Sequence, residues 1–160
     1  MIYCDNIEQQ TENNTDYRRV IFTGPKIQIV LMTLQPHEEI GLEAHNNGDQ
    51  FFRIEQGFGM IEYGMTKTSL KRVNVQSGFG IAIPQGMLHN VKNTSSSELL
   101  KLYTIYSPPQ HKPDTVVHHK INNNHHDNHD EQHFDDHNDV DYYAKYQYYK
   151  KLYINAKNNL

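Results

Sequence analysis

Along residues 17–106 apolar and polar positions alternate in short runs, broken every few residues by Gly, Pro or Asn. Short runs with period-two alternation predict β-strands rather than helices. The candidate strands are residues 17–22, 26–34, 39–45, 50–56, 59–63, 70–75, 79–83, 89–92 and 99–106. Successive side chains of a strand point to opposite faces, so Ile27, Ile29 and Leu31 are expected on one face of the second run and Gln28 on the other. Gly24-Pro25, Asn46-Asn47-Gly48-Asp49, Gly57 and Pro84-Gln85-Gly86 supply the turns between runs. No long segment of helical period appears before His111. Many short strands without helical crossovers predict an all-β sandwich or jelly-roll barrel.

Composition then divides the chain. Residues 1–16 are polar and read as a loose lead-in, residues 17–112 as the β-barrel, 113–139 as an acidic His-rich linker expected to be disordered, and 140–156 as a Tyr-rich helix. Most of the 11 histidines fall in the linker region, with His125, His129, His133 and His137 at a four-residue spacing that one helix face could use to chelate a metal. A low-complexity linker with no selected role is the favoured reading of that spacing. In the terminal helix Tyr142, Tyr146, Tyr149 and Tyr153 make one stripe, which needs a partner surface on its own barrel, a sister subunit or another protein.

Charge and cysteine usage narrow the classes further. The formal net charge of −4 does not favour nucleic-acid binding. The single Cys4 rules out an intrachain disulfide and fits a reducing compartment. The first residues carry no basic, apolar leader pattern, and no apolar run approaches the roughly 20 residues that span a bilayer. The expectation is a soluble, intracellular protein with no membrane partner.

The most specific motif lies at residues 78–93, where Gly78, Pro84, Gly86, His89 and Asn93 read G-x5-P-x-G-x2-H-x3-N. A strand enters a Pro/Gly turn, and one histidine opens the next strand. Upstream, His45, Asn47, Gln50 and Gly57 follow Gly41 in a looser version of G-x5-H-x-H-x3,4-E-x6-G. Together these motifs resemble the two signatures of the cupin family. The runs Asp49-Gln50-Phe51 and Tyr106-Ser107-Pro108-Pro109-Gln110-His111 are similar to small stand-alone cupins described as mannose-6-phosphate-isomerase-like.

That resemblance implies a jelly-roll barrel with a divalent transition metal (Zn, Fe, Mn or Ni) at its centre, and a homodimer formed through the outer sheet. The residues at the ligand positions are His45, Asn47, Gln50 and His89, with Asn47 and Gln50 standing where the family has His and Glu. Neutral amide oxygen is a weaker ligand than imidazole or carboxylate, so affinity below that of a full cupin site is expected. The alternative is a barrel that kept two interior histidines in a polar pocket without any metal. Glu43, two residues before His45, shares its strand parity and is the candidate general base, against the plainer reading of a solvent-facing Glu at the barrel mouth. Phe52, Tyr63 and Tyr106 are candidate pocket-lining residues, and Tyr103 is a weaker one. Arg53 and Lys101, the nearest basic residues for a phosphate, share parity with outward positions. The expected ligand is a small polar molecule, a carbohydrate before other classes. The expected activity is a metal-dependent isomerase or another cupin-type reaction, with a non-catalytic binding or structural cupin as the alternative.

Overall fold

Eight of the nine alternating runs form strands in the computed structural model, which describes residues 2–120, and a short ninth strand follows them. They are β1 (Arg18–Thr23), β2 (Gln28–Leu34), β3 (Asp49–Gln56), β4 (Phe58–Gly64), β5 (Lys71–Gln76), β6 (Gly80–Ile83), β7 (Leu88–Asn93), β8 (Leu100–Ser107) and β9 (Val116–Val117). A six-stranded sheet runs β6-β3-β8-β2-β1-β9 and a three-stranded sheet runs β5-β4-β7. All of their pairings are antiparallel. The inner faces meet over Val30, Met32, Leu34, Phe52, Ile54, Ile61, Val91, Leu100 and Leu102, giving the all-β jelly roll that the pattern predicts. The His-rich stretch from His125 and the Tyr-rich helix at 140–156 lie outside the described residues. Among the described residues no helix is long and apolar enough to cross a membrane.

Two local expectations are corrected. The lead-in contains a helix, α1 (Ile7–Asn13). The Asn6 side chain caps it by accepting from the Gln9 N–H at 3.0 Å, and Thr11 is fully buried beneath it. Helix α1 lies against the outer face of β8, β3 and β2. There the buried Lys101 ammonium donates to the Glu12 carbonyl, near the helix's negative end.

The alternation expected in β2 holds, and its pairing decides which face is inner. Its register against β8 sets Gln28, Val30, Met32 and Leu34 opposite Tyr106, Thr104, Leu102 and Leu100, so Gln28 points inward and Leu31 outward. Leu31 is nevertheless buried, because α1 covers that face. With both faces covered, alternation could not indicate which one is the core.

The second correction is that residues 39–45 are not a continuous strand. Glu39 and Glu43 form isolated bridges to Lys92 and His89. Gly41 between them adopts φ 112, and its N–H donates to the Asn90 side chain at 2.9 Å instead of to a ladder partner.

The buried carboxamide of Gln28 is fully bonded. It donates to Thr23 Oγ1 at 2.9 Å and to the His111 carbonyl at 2.7 Å. It accepts from the Gln110 N–H at 3.1 Å and the His111 N–H at 2.9 Å. The segment after β8 is therefore tied to β2. Gln28→Met, close in volume but without these bonds, is expected to cost about 1–3 kcal/mol for each buried backbone group left unpaired. Urea denaturation reads the loss, and a midpoint unchanged from wild type would refute this role.

Candidate metal centre

The turn at Pro84-Gln85-Gly86 builds both halves of the site. Gly86 takes φ 77, which an L side chain rarely adopts, and its N–H donates to the His45 carbonyl at 2.8 Å. The Gln85 N–H donates to Asp49 Oδ1 at 2.9 Å, and its side chain reaches the Asn46 carbonyl. The turn that starts β7 thus also fixes the loop carrying His45. Glu43 and His89 then exchange two backbone bonds, at 3.0 and 2.9 Å. A hydrogen-bonded antiparallel pair directs both side chains to one face. On the other side of His89 stands Tyr63, its partner across β4 and β7. The opposite wall is a row across the larger sheet, in which Gln28, Tyr106, Gln50 and Ile83 are neighbours.

Glu43, His45 and His89 converge, each with a ligand-type atom within 4.8 Å of the others. Glu43 Oε1 lies 3.5 Å from His45 Nε2 and 3.5 Å from His89 Nε2. Both are too long for good hydrogen bonds, and Glu43 Oε1 and His45 Nε2 are buried with no hydrogen-bond partner. Burial alone would raise the Glu43 pKa. The approach of His45 and then of His89 outweighs it and holds the carboxyl well below its usual range.

His89 is buried and anchored on both nitrogens. Nδ1 lies 2.9 Å from the Met87 carbonyl and Nε2 lies 2.8 Å from Gln50 Oε1. The Gln50 amide group donates to Thr104 Oγ1 at 3.0 Å, which aims its carbonyl oxygen at the histidine. Both partners are carbonyl oxygens, which can only accept, so a neutral imidazole cannot donate to both from one ring proton.

Glu43 Oε1, His45 Nε2 and Gln50 Oε1 thus gather around His89 Nε2, all atoms able to offer a lone pair. Donor atoms set tetrahedrally around one ion at about 2.0–2.2 Å lie about 3.3–3.6 Å from each other, close to the 3.5 Å between Glu43 Oε1 and each histidine Nε2. Two imidazoles, a carboxylate and an amide oxygen fit a divalent transition metal.

The other expected residues take different places. Asn47 is exposed, and its Oδ1 accepts from Gln110 Nε2 at 3.2 Å, apart from the cluster. Phe52 packs edge-on to His89 at 5.8 Å, and Tyr106 edge-on to His45 at 5.4 Å. Tyr103 pairs with Leu31 and Arg53 on the outer-facing register and lies outside the barrel. Arg53 donates to the Gly78 carbonyl at 2.7 Å.

Two residues escaped sequence reasoning. Arg18 shares strand parity with the core residue Val20 and opposes Met32, so it enters on the inner face. His111 stacks edge-on to Tyr106 at 5.1 Å. The only sequence signal for His111 was its place at the end of the Tyr106–His111 run.

Comparison with known proteins gives a consistent picture. A family model described as "Cupin domain" matches residues 30–106. The chain is 46% identical over 112 residues to YrkC of Bacillus subtilis, covering 69% of this chain and 60% of that protein. It thus spans less than two thirds of that relative's length. It is 44% identical over 115 residues to a protein of Acanthamoeba polyphaga mimivirus, covering 72% of this chain and 71% of the relative. A crystal structure from Bacillus halodurans superposes with a TM-score of 0.71 at 41% identity, covering 74% of this chain and 89% of that one.

The electrostatics of the site make a prediction for His111. Burial first, then the Arg18 charge, pushes its imidazole down from 6.5 to about 3, with Glu43 opposing. In the unfolded chain it protonates near 6.5, and in the folded chain only near 3. Between those values the unfolded state holds the extra proton, so stability falls as pH drops through that window. His111→Phe is expected to flatten the dependence between pH 6.5 and 4, measured as urea midpoints. His111 ring signals in NMR should not titrate between pH 8 and 5, and a midpoint near 6.5 would contradict the enclosed, neutral ring.

Proposed function

The chain belongs to the cupin-domain family, and from that premise we propose that its barrel holds a divalent transition metal on Glu43, His45, His89 and the Gln50 oxygen and presents it to a small oxygen-bearing molecule. The observation that carries this is the position of Glu43 Oε1, 3.5 Å from both histidine Nε2 atoms. Bound there, a metal would supply Lewis-acid polarisation of a carbonyl or hydroxyl oxygen. The chain's own residues contribute orientation. Met87 and Gln50 fix the His89 ring, Gly86 fixes the His45 backbone, and Phe52 and Tyr106 give the histidines an apolar surround.

In this reading Glu43 acts as a ligand rather than a free general base, because both histidines already face its carboxylate. Activity of the isomerase type on a carbohydrate is the first reaction class to test. Recognition of a phosphate by Arg53 or Lys101 is not supported, since each donates to a backbone carbonyl elsewhere.

A second reading rests on the same contacts. A His89 ring protonated on both nitrogens would satisfy Met87 and Gln50 and face Glu43, leaving a metal-free binding pocket.

Elemental analysis of untagged, full-length protein separates the two. About one equivalent of metal is expected in wild type. Glu43→Gln and His45→Ala/His89→Ala keep the C-terminal histidines intact, so the difference isolates the barrel. Each should lower affinity by more than the roughly 10- to 100-fold typical of losing an outer-shell partner. Equal metal content in all three proteins would sink the proposal.

A further inference from the structure

The wall of the pocket formed after β8 has no role in holding a metal, yet it is built with care. Gln28 takes both the N–H and the C=O of His111, at 2.9 and 2.7 Å. A cis Ser107–Pro108 bond precedes this clamp. The fixed backbone sets the His111 ring against one edge contact of Tyr106, while His45 occupies another, with ring centroids 5.1 and 5.4 Å away. His111 Nε2 is enclosed and has no hydrogen-bond partner. A buried ring nitrogen left in that condition is costly, so a partner that arrives with a ligand would recover that cost.

Position decides what that partner is. His111 is not one of the residues whose ligand atoms cluster within 4.8 Å. It lies near enough for the charges of Glu43 and His45 to act on it without joining their cluster. From there it meets a molecule held by the centre rather than the ion itself. It is also uncharged across the physiological range, since its pKa lies near 3. A neutral imidazole recognises a hydroxyl better than it recognises a net negative charge. Negative charge is served elsewhere: a divalent ion with one Glu43 carboxylate keeps a net positive charge, and Arg18 enters on the same inner face.

We infer that His111 is the ligand-recognition residue of this centre, and that its ligand is a small hydroxy-carboxylate, the carboxylate directed to the metal and the hydroxyl hydrogen-bonded to His111 Nε2. The inference rests on the metal reading above and names the chemical class that the site would select. Phe52 and Tyr106 stand beside the histidines as aromatic walls, which suits a compact ligand.

The test uses full-length protein loaded with one equivalent of Co2+, read by its visible absorption bands. Glycolate is titrated as the smallest hydroxy-carboxylate, and acetate as the same acid without the hydroxyl. Glu43→Gln, which retains the C-terminal histidines, is the blank. Wild type is expected to bind glycolate about 10-fold more tightly than acetate, the difference one good hydrogen bond makes. His111→Phe keeps an aromatic ring against Tyr106 and removes the nitrogen. It should erase the preference while Co2+ affinity stays within about 2-fold, because the ring is not itself a ligand. His111→Asn gives the same comparison should the phenylalanine variant not fold.

A preference for glycolate that survives in these variants overturns the inference, as does a wild-type protein that does not respond to glycolate. Co2+ bands already altered in the variants before glycolate is added would make His111 a ligand of the ion and overturn it too. Failure of wild type to take up Co2+ above the Glu43→Gln blank would instead remove the metal reading, and this inference with it.

Discussion

The site depends on one pair of backbone hydrogen bonds, those that Glu43 and His89 exchange at 3.0 and 2.9 Å. Residues 39–45 have no strand of their own to hold them, and they touch β7 through isolated bridges. Without the bridge at Glu43, neither its carboxylate nor the His45 ring would have a defined direction. The bridge imposes the pairing geometry of an antiparallel sheet on two residues of a loop. The turn at Gly86 repeats the device two residues later by holding the His45 carbonyl. Rigidity at the centre is therefore borrowed from β7 and its entry turn, in keeping with the general need to mount reactive groups on well-ordered elements.

The barrel interior otherwise leaves its polar groups paired. Gln28 binds the chain after β8, Thr104 holds Gln50, and Asn93 donates to the carbonyls of Leu34, Gln35 and Glu98. Against that background Glu43 Oε1, His45 Nε2 and His111 Nε2 stand out as enclosed atoms without partners on the protein. Buried polar atoms are rarely left so, and these three gather at the site, whereas Asn14 Oδ1 is another at the end of α1. Their concentration in one region identifies a place prepared for something that the polypeptide does not itself provide.

Much of the fold could be read from the chain because period-two alternation and Gly/Pro turns report strands directly. Reading failed where that signal was silent. In β2 both faces are covered, so the side carrying Gln28 could not be told from the side carrying Leu31. Helix α1 is short and polar, and its start depends on an Asn6 side-chain cap rather than on periodicity. At the site, motif spacing led to His45, Gln50 and His89 because turns with fixed backbone geometry position them. Parity led to Glu43, although as a base. Nothing local marks Arg18 or His111. One is an inward residue on a strand far from the motifs, and the other sits in a loop whose placement is decided by a glutamine more than 80 residues earlier.

The family motif places its carboxylate on the strand that here begins at Asp49, where this chain has the amide of Gln50. A column-by-column reading would score that as a loss of charge. In three dimensions the negative group has changed address: it approaches the same histidine from the opposite sheet, carried by Glu43 beside β7. Relatives with an amide at the position of Gln50 should therefore be sorted by what they carry two residues before their first histidine. Charge at such a centre is a property of the cavity, and a sequence profile that tracks single positions sorts into intact and degenerate two wirings of one electrostatic design.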